Sequence, residues 1–325
     1  MMLAVGACHA RRVRPPSDVR YMVTEGLNVK LGRPGGFAMT DLPDIRFTRR
    51  IASVGVALNV AEAGPQDGPP VILLHGFPEF WFGWRYQIGA LAGAGYRVVV
   101  PDQRGYNLSD KPEGIENYDL DRLADDVVAL AAHYTSEPFA LVGHDWGAVA
   151  AWWTATRFPE KVRKLAVLNC PHPAIWRETM ARNPAQMFAS WYVMAFQIPS
   201  LPEALMRSRN YRALEMALRQ SKTPVSDADI ARYREAWSQP GALTAMINWY
   251  RAIVRRRFTP VAPKSIALPV QIVWGRNDPY ALPALAEASK LLCADVRLTY
   301  LEDATHWVAQ DAPERVNAIL LDFLR

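Results

Sequence analysis

The stretch Phe139-Ala140-Leu141-Val142-Gly143-His144-Asp145-Trp146-Gly147-Ala148 decides the fold. Its first four residues form a short apolar run ended by glycine, the pattern of a buried strand. Val149-Ala150-Ala151-Trp152-Trp153 follows and reads as a buried helix. Strand, sharp turn and helix thus occupy one short segment. Glycines on both sides of Asp145 suit a turn too tight for neighbouring Cβ atoms. Such a turn usually presents a serine nucleophile. An aspartate cannot form an acyl-enzyme by the serine route, but it can attack an electrophilic sp³ carbon and form an alkyl ester. Taken alone, the segment also fits an ordinary Gly-rich turn capped by aspartate. The rest of the chain has to decide.

Working outward, strands and helices alternate. Two strand-like runs split near Gly55 fill residues 45–63, and Gly64-Pro65-Gln66-Asp67-Gly68-Pro69 is a turn. Val71-Ile72-Leu73-Leu74 is a continuous apolar run, as expected of a parallel strand covered on both faces. Residues 91–95 end a helix, and 96–100 form the next strand. Helical periodicity over 120–134 puts Leu123, Val127, Leu130, Ala131 and Tyr134 on one face. A strand at 165–168 follows the elbow helix. This alternation predicts a mostly parallel, doubly wound α/β sheet.

After Asn169 the pattern breaks. Residues 171–263 are rich in Trp, Met, Arg and Ala at helical spacing, interrupted by Pro184, Pro199, Pro202, Pro224 and Pro240. They read as a helical cap inserted between two parts of the core, 41–170 and 264–325. The core then resumes with a strand at 270–274, a helix at 282–292, a strand at 296–301 and a helix at 313–324 that opens with proline. Residues 1–40 mix Arg, Pro and Gly without periodicity and read as a disordered basic tail. A translation start at Met39 is a second reading, and a basic targeting arm a third. Basic residues near the start are followed by no apolar stretch, so a signal peptide is not expected.

The 325 residues, half of them apolar, can bury a large core. No run is long enough to span a membrane. The net charge of +5 does not point to nucleic acid. Residues 1–38 hold six basic residues against Asp18 and Glu25, and the remainder is near neutral, with 31 basic against 30 acidic. Cys8, Cys170 and Cys293 are scattered, form no metal spacing and suggest a reducing, cytoplasmic setting. No His, Cys or Asp cluster has ligand spacing, so neither metal nor cofactor is expected.

Three further motifs fall at strand C-terminal ends, where open α/β sheets place their ligands. His75-Gly76-Phe77-Pro78 follows the strand at 71–74 and can aim the Phe77 N–H at a developing oxyanion, together with the N–H of Trp146. Trp274-Gly275-Arg276-Asn277-Asp278-Pro279 supplies an acid, and Asp303-Ala304-Thr305-His306-Trp307 a histidine. The order nucleophile, acid, histidine is that of an α/β-hydrolase triad. Asp145 would attack, His306 would activate water, and Asp278 would orient and stabilise the imidazole. His75, His133, His144 and His172 read as structural, and His9 lies in the tail.

His75-Gly76-Phe77-Pro78-Glu79 with Trp81 and Trp84-Arg85, followed by Gly143-His144-Asp145-Trp146-Gly147, resembles the epoxide hydrolase branch of the α/β-hydrolases. The resemblance runs from about residue 42 to the end. It implies two cap tyrosines that donate to an epoxide oxygen. Tyr250 in Asn248-Trp249-Tyr250-Arg251 matches the second, and Tyr192 in Ser190-Trp191-Tyr192-Val193 the first. The chemistry agrees, because an opening epoxide leaves an alkoxide that needs a proton, and a phenol can supply one. The expected partners are a small apolar epoxide and water, in a detoxification role. Phe77, Pro78, Trp81, Trp146, Trp191, Phe196 and Trp307 are expected to line the pocket. Monomer and homodimer both stay open. A haloalkane dehalogenase would use the same Asp145, His306 and Asp278, but two tyrosines and Phe77 in place of an amide side chain favour the epoxide. A fluoroacetate dehalogenase would carry arginine where Trp146 stands. A non-catalytic binding protein of the same fold would need neither the triad nor the tyrosines.

Overall fold

The computed structural model describes residues 42–52, 55–255, 262 and 264–325. The tail expected at 1–40 and residue 263, the expected end of the cap, lie outside the described residues. Among the described residues there are eight strands: β1 (Arg46–Ile51), β2 (Ala57–Ala63), β3 (Pro70–Leu74), β4 (Arg97–Pro101), β5 (Phe139–His144), β6 (Val162–Leu168), β7 (Ile266–Gly275) and β8 (Cys293–Leu301). They form one sheet in the order β1-β2-β4-β3-β5-β6-β7-β8. The β1–β2 and β2–β4 pairs are antiparallel, and every other pair is parallel. It is the mostly parallel α/β sheet that the alternation predicted. Each position of β5 is buried, so this central strand has no polar face and its sequence is a plain apolar run.

The core helices are α1 (Arg85–Gly93), α2 (Leu120–Ala131) and α3 (Trp146–Arg157). The Asp119 side chain caps α2 by accepting from the Arg122 N–H at 3.0 Å. This helix ends at Ala131 rather than 134. The chain leaves through tight turns, His133 N–H to the Leu130 carbonyl and Tyr134 N–H to that of Ala131, and the Tyr134 hydroxyl donates to Glu62 at 2.9 Å. Strand β7 starts at Ile266, earlier than the apolar run at 270–274 suggested. Pro269 hides this part of the strand from a propensity reading, and it falls where the pairing with β8 shifts register.

Among the described residues six helices lie between β6 and β7: α4 (Pro173–Met180), α5 (Pro184–Ala189), α6 (Trp191–Ala195), α7 (Leu201–Leu218), α8 (Asp227–Ser238) and α9 (Ala242–Arg255). Together they form the insertion, or cap, between the two parts of the core. Helix α7 is two helices joined by a bend, since Ser208, Arg209, Asn210 and Tyr211 leave helical dihedrals. Helix α9 is buried at most positions and forms the spine of the cap. Its Trp249 indole N–H donates to the Arg104 carbonyl of the core at 3.1 Å, and the Trp237 indole on α8 donates to that of Pro78 at 2.6 Å. Buried Arg251 pairs with Glu203 at 2.7 Å and donates to the carbonyls of Phe196 and Ile198. Gln197 donates to the Tyr250 carbonyl at 3.0 Å. These bonds lock the end of α6 to α9, and so fix Tyr192 relative to Tyr250. Helices α10 (Ala284–Lys290), α11 (Val308–Asp311) and α12 (Pro313–Leu324) complete the chain. Helix α10 is shorter than the expected 282–292, with Pro283 at its cap.

Candidate active site

Asp145 sits between β5 and α3 with φ 50° and ψ −121°. That is a conformation L-residues avoid, at a typical cost of about 1–3 kcal/mol. Its neighbours make the turn possible. A Cβ on Gly143 would lie 2.5 Å from the Gly147 carbonyl oxygen, and one on Gly147 would lie 2.1 Å from that of Leu74. Both positions therefore require glycine. The turn lifts the Asp145 carboxylate off the sheet edge, where the Phe77 N–H donates to its Oδ1 at 2.7 Å. Trp146 is the first residue of α3, so its N–H belongs to the end of the helix that has no intrahelical acceptor.

His306 follows β8, and its Nε2 stands 3.4 Å from Asp145 Oδ2. The opposite ring nitrogen, Nδ1, is 2.8 Å from Asp278 Oδ2. Asp278 is buried after β7 and accepts four hydrogen bonds. Two come from the backbone N–H groups of Tyr280 (2.7 Å) and Ala281 (3.0 Å). The third is from His306, and the fourth is from the Asn169 side-chain amide at 2.7 Å. Three residues far apart in sequence are thus brought together at the C-terminal ends of β5, β7 and β8.

The electrostatics follow from this packing. Burial works against charge on His306, but Asp278 and Asp145 on either side outweigh it and raise the imidazole from 6.5 to about 10. Burial alone would raise Asp145, yet the His306 imidazole and the Phe77 N–H hold it below the ordinary carboxylate value. The resting pair is therefore imidazolium and carboxylate at neutral pH. Burial, followed by the charge of Asp145, pushes the Tyr192 and Tyr250 phenols well above 10, so both are protonated donors.

Two hollows meet at this point. One runs under α4 to α6 past Val149, Cys170, Trp176 and Ile253. The other, larger and open to solvent, passes Phe77, Pro78, Trp191, Phe196, Met206 and Trp307. Asp145, Tyr192, Tyr250, Tyr280 and His306 line both. The rings of Tyr192 and Tyr250 are 5.9 Å apart, and that of Tyr250 packs edge-on against Phe77 and Trp146. Of the aromatic wall expected from sequence, Trp81 alone is not part of it. It lines neither hollow and is buried beside Phe47, Phe80 and Phe82. Its backbone N–H donates to Asp102 at 3.0 Å. The short 3₁₀ turn at Trp81–Trp84 directs this ring into the core, and motif proximity alone gave no hint of it.

His75, His144 and His172 hold the scaffold. His75 Nε2 accepts from the Gln103 N–H at 3.0 Å, and burial lowers its pKa to about 4, so it is neutral. His172 caps α4, accepting from the Ala174 N–H at 3.1 Å. His144 is nearer the chemistry than its position beside the elbow suggested. Its Nδ1 lies 3.1 Å from Glu79, and its Nε2 donates to the His306 carbonyl at 2.9 Å. Asn169 and Tyr280 were not singled out from sequence. Both stand at strand C-terminal ends, Asn169 directly after β6 and Tyr280 two residues past Asp278, so the rule that found Asp278 and His306 also covers them. Among the described residues no group of three His, Cys, Asp or Glu side chains could hold a metal, and no helix is long and apolar enough to cross a membrane.

The family model described as alpha/beta hydrolase fold matches residues 69–313. The AB hydrolase superfamily protein YfhM of Bacillus subtilis (strain 168) is 44% identical over 273 residues, covering 83% of this chain and 95% of that protein. Epoxide hydrolase 4 of Homo sapiens is 37% identical, covering 85% of this chain and 78% of its own length. The crystal structure of an epoxide hydrolase from Bacillus megaterium, in complex with an inhibitor, aligns with a TM-score of 0.77 at 30% identity, over 85% of this chain and 99% of that one. The chain belongs to the epoxide-hydrolase branch of the α/β-hydrolase superfamily, and is a hydrolase.

Proposed function

We propose that the protein opens an apolar epoxide to a vicinal diol through a covalent hydroxyalkyl ester on Asp145. The observation that carries this reading is the pair of protonated phenols, half-buried Tyr192 and buried Tyr250, lining the same hollows as Asp145 and His306. A halide leaves without a proton, so these two donors would have no use in a dehalogenase. An epoxide oxygen requires them.

In the first step an Asp145 oxygen attacks an epoxide carbon in line, and the carbon–oxygen bond of the ring breaks. Tyr192 and Tyr250 hold the oxygen, and one of them gives it a proton. The His306 imidazolium returns a proton to the resulting phenolate and becomes neutral. Neutral His306 then takes a proton from water, and the hydroxide attacks the ester carbonyl carbon of Asp145. The oxyanion rests on the N–H groups of Phe77 and Trp146. The tetrahedral intermediate expels the diol alkoxide, which takes the proton left on the new carboxyl group. The resting imidazolium–carboxylate pair is restored, and the charges balance over the cycle.

His306→Gln separates the two halves. Incubated with a styrene-type oxide, this variant is expected to accumulate an adduct of the substrate's mass, read on the intact protein. Free protein alone, with substrate binding retained, would refute the ester. Single turnover in H₂¹⁸O is expected to leave the label in Asp145 rather than in the diol. Asp145→Asn is the inactive control in a screen of epoxides and haloalkanes.

A further inference from the structure

We propose that the outer surface of the cap, around the mouth of the larger hollow, docks on an anionic lipid surface. Most of the large apolar side chains that the described residues expose lie between Met187 and Met216. Phe188 is 81% exposed, Trp191 65% and Met194 58%. Trp191 and Met194, three apart on α6, share a face of that helix, and Phe188 stands just before it on α5. Leu201 and Leu205, both exposed, repeat the pattern at i, i+4 on α7. Trp191 and Met216 also line the larger hollow, so the stripe reaches its opening. A large apolar patch left bare at a cavity mouth marks an interaction surface.

Charge selects the occupant. Arg207, Arg209 and Arg212 are exposed on the bend of α7, between Leu205 and Met216. The sequence from 179 to 226 contains only two acidic residues, Glu203 and Glu215. Both are buried in ion pairs, with Arg251 and with Arg219 and Arg234. The exposed charge on α7 beside the apolar stripe is therefore basic. A second copy packed through a two-fold axis would bring two basic shoulders together with no exposed acid between them. An anionic bilayer satisfies both features: Phe188 and Trp191 enter the interfacial layer while the arginines meet headgroup charge. No crossing helix is needed. With the reaction proposed above, a lipophilic epoxide could then reach Asp145 from the bilayer without passing through water. Only that last step rests on the reaction, since docking is read without substrate.

The test is flotation of the full chain with phosphatidylcholine vesicles, with and without about one-third phosphatidylglycerol. Binding to the anionic vesicles, weakened by high salt, is expected. Arg209→Ala/Arg212→Ala should weaken it roughly twentyfold or more, at about fivefold per arginine near the surface. Phe188→Ser/Leu205→Ser should weaken it as well. None of these four residues lines the hollows at Asp145, so turnover of a short water-soluble epoxide stays unchanged in both variants. Failure of the wild-type chain to float, or equal flotation of the wild type and both variants, overturns the proposal. So does a concentration-dependent dimer, seen by ultracentrifugation, that both variants dissociate, because the face would then pair with its own copy.

Discussion

Asn169 and His306 donate to the same oxygen of Asp278, at 2.7 and 2.8 Å. The Asn169 side chain is itself held at both ends, because its amide oxygen Oδ1 accepts the Gly275 N–H at 3.0 Å. It therefore ties the end of β6 to the loop that carries the acid, and fixes the direction from which Asp278 meets the imidazole. Asn169→Ala removes a hydrogen bond to a charged group, worth about 1.5–3 kcal/mol. The proposed chemistry uses His306 as a base only in the second step. Ester hydrolysis should therefore slow roughly tenfold or more, while single-turnover alkylation of Asp145 stays near the wild-type rate. Equal slowing of both steps would show that the substitution merely loosens the fold.

The raised His306 pKa makes a prediction about pH. Two carboxylates hold the resting imidazole at about 10, and esterification of Asp145 removes one of the two charges. The pKa that governs ester hydrolysis should then lie below that of the free enzyme, which a His306 titration by NMR would measure. A pre-steady-state hydrolysis rate that rises only through the resting value would contradict the proposed sequence. Stability has its own sign. A group raised from 6.5 in the unfolded chain to about 10 when folded stabilises fully below pH 6.5, and loses that contribution as pH rises through 10. The excess in melting temperature of wild type over His306→Gln should shrink across this window.

The parts of the site carried on strand ends were legible in the sequence because each rests on local chemistry. A Gly-x-Asp-x-Gly elbow, an acid after β7 and a histidine after β8 are all short patterns whose spacing the sheet dictates. Asn169 escaped because it is polar but neither acid nor base, and a search for titratable groups passes over it. Trp81 misled because it belongs to a recognisable motif, while its ring direction depends on a 3₁₀ turn and on Asp102, which lies on the far side of β4 in sequence. The Pro269 strand and the bend in α7 were illegible for a common reason. In both, tertiary packing overrides what the residues prefer locally.

The two phenols should not be interchangeable with a single donor. Tyr250→Phe leaves Tyr192 in place, and the remaining proton donor would keep part of the rate. A loss of about 10²-fold in alkylation is expected for either single variant, and a far larger loss for Tyr192→Phe/Tyr250→Phe. Neither hydroxyl has a role in expelling halide, so any haloalkane turnover would survive. Undiminished epoxide opening in the double variant would remove the phenols from the mechanism.

Trp81 and Phe196 separate packing from recognition. Trp81 is buried among Phe47, Phe80 and Phe82, so Trp81→Ala leaves a cavity there and should cost about 3–5 kcal/mol of stability. The surviving folded fraction should keep the wild-type KM and enantiopreference. Phe196 has the opposite profile. It is partly exposed, its ring centroid is 4.9 Å from that of Tyr250 and 6.0 Å from that of Phe77, and it lines the larger hollow. Phe196→Ala should lower the melting temperature less and change KM across a series of aryl and alkyl epoxides. A shift of substrate range in Trp81→Ala with none in Phe196→Ala would place the binding surface on the other side of the His75–Glu79 loop from the two hollows at Asp145.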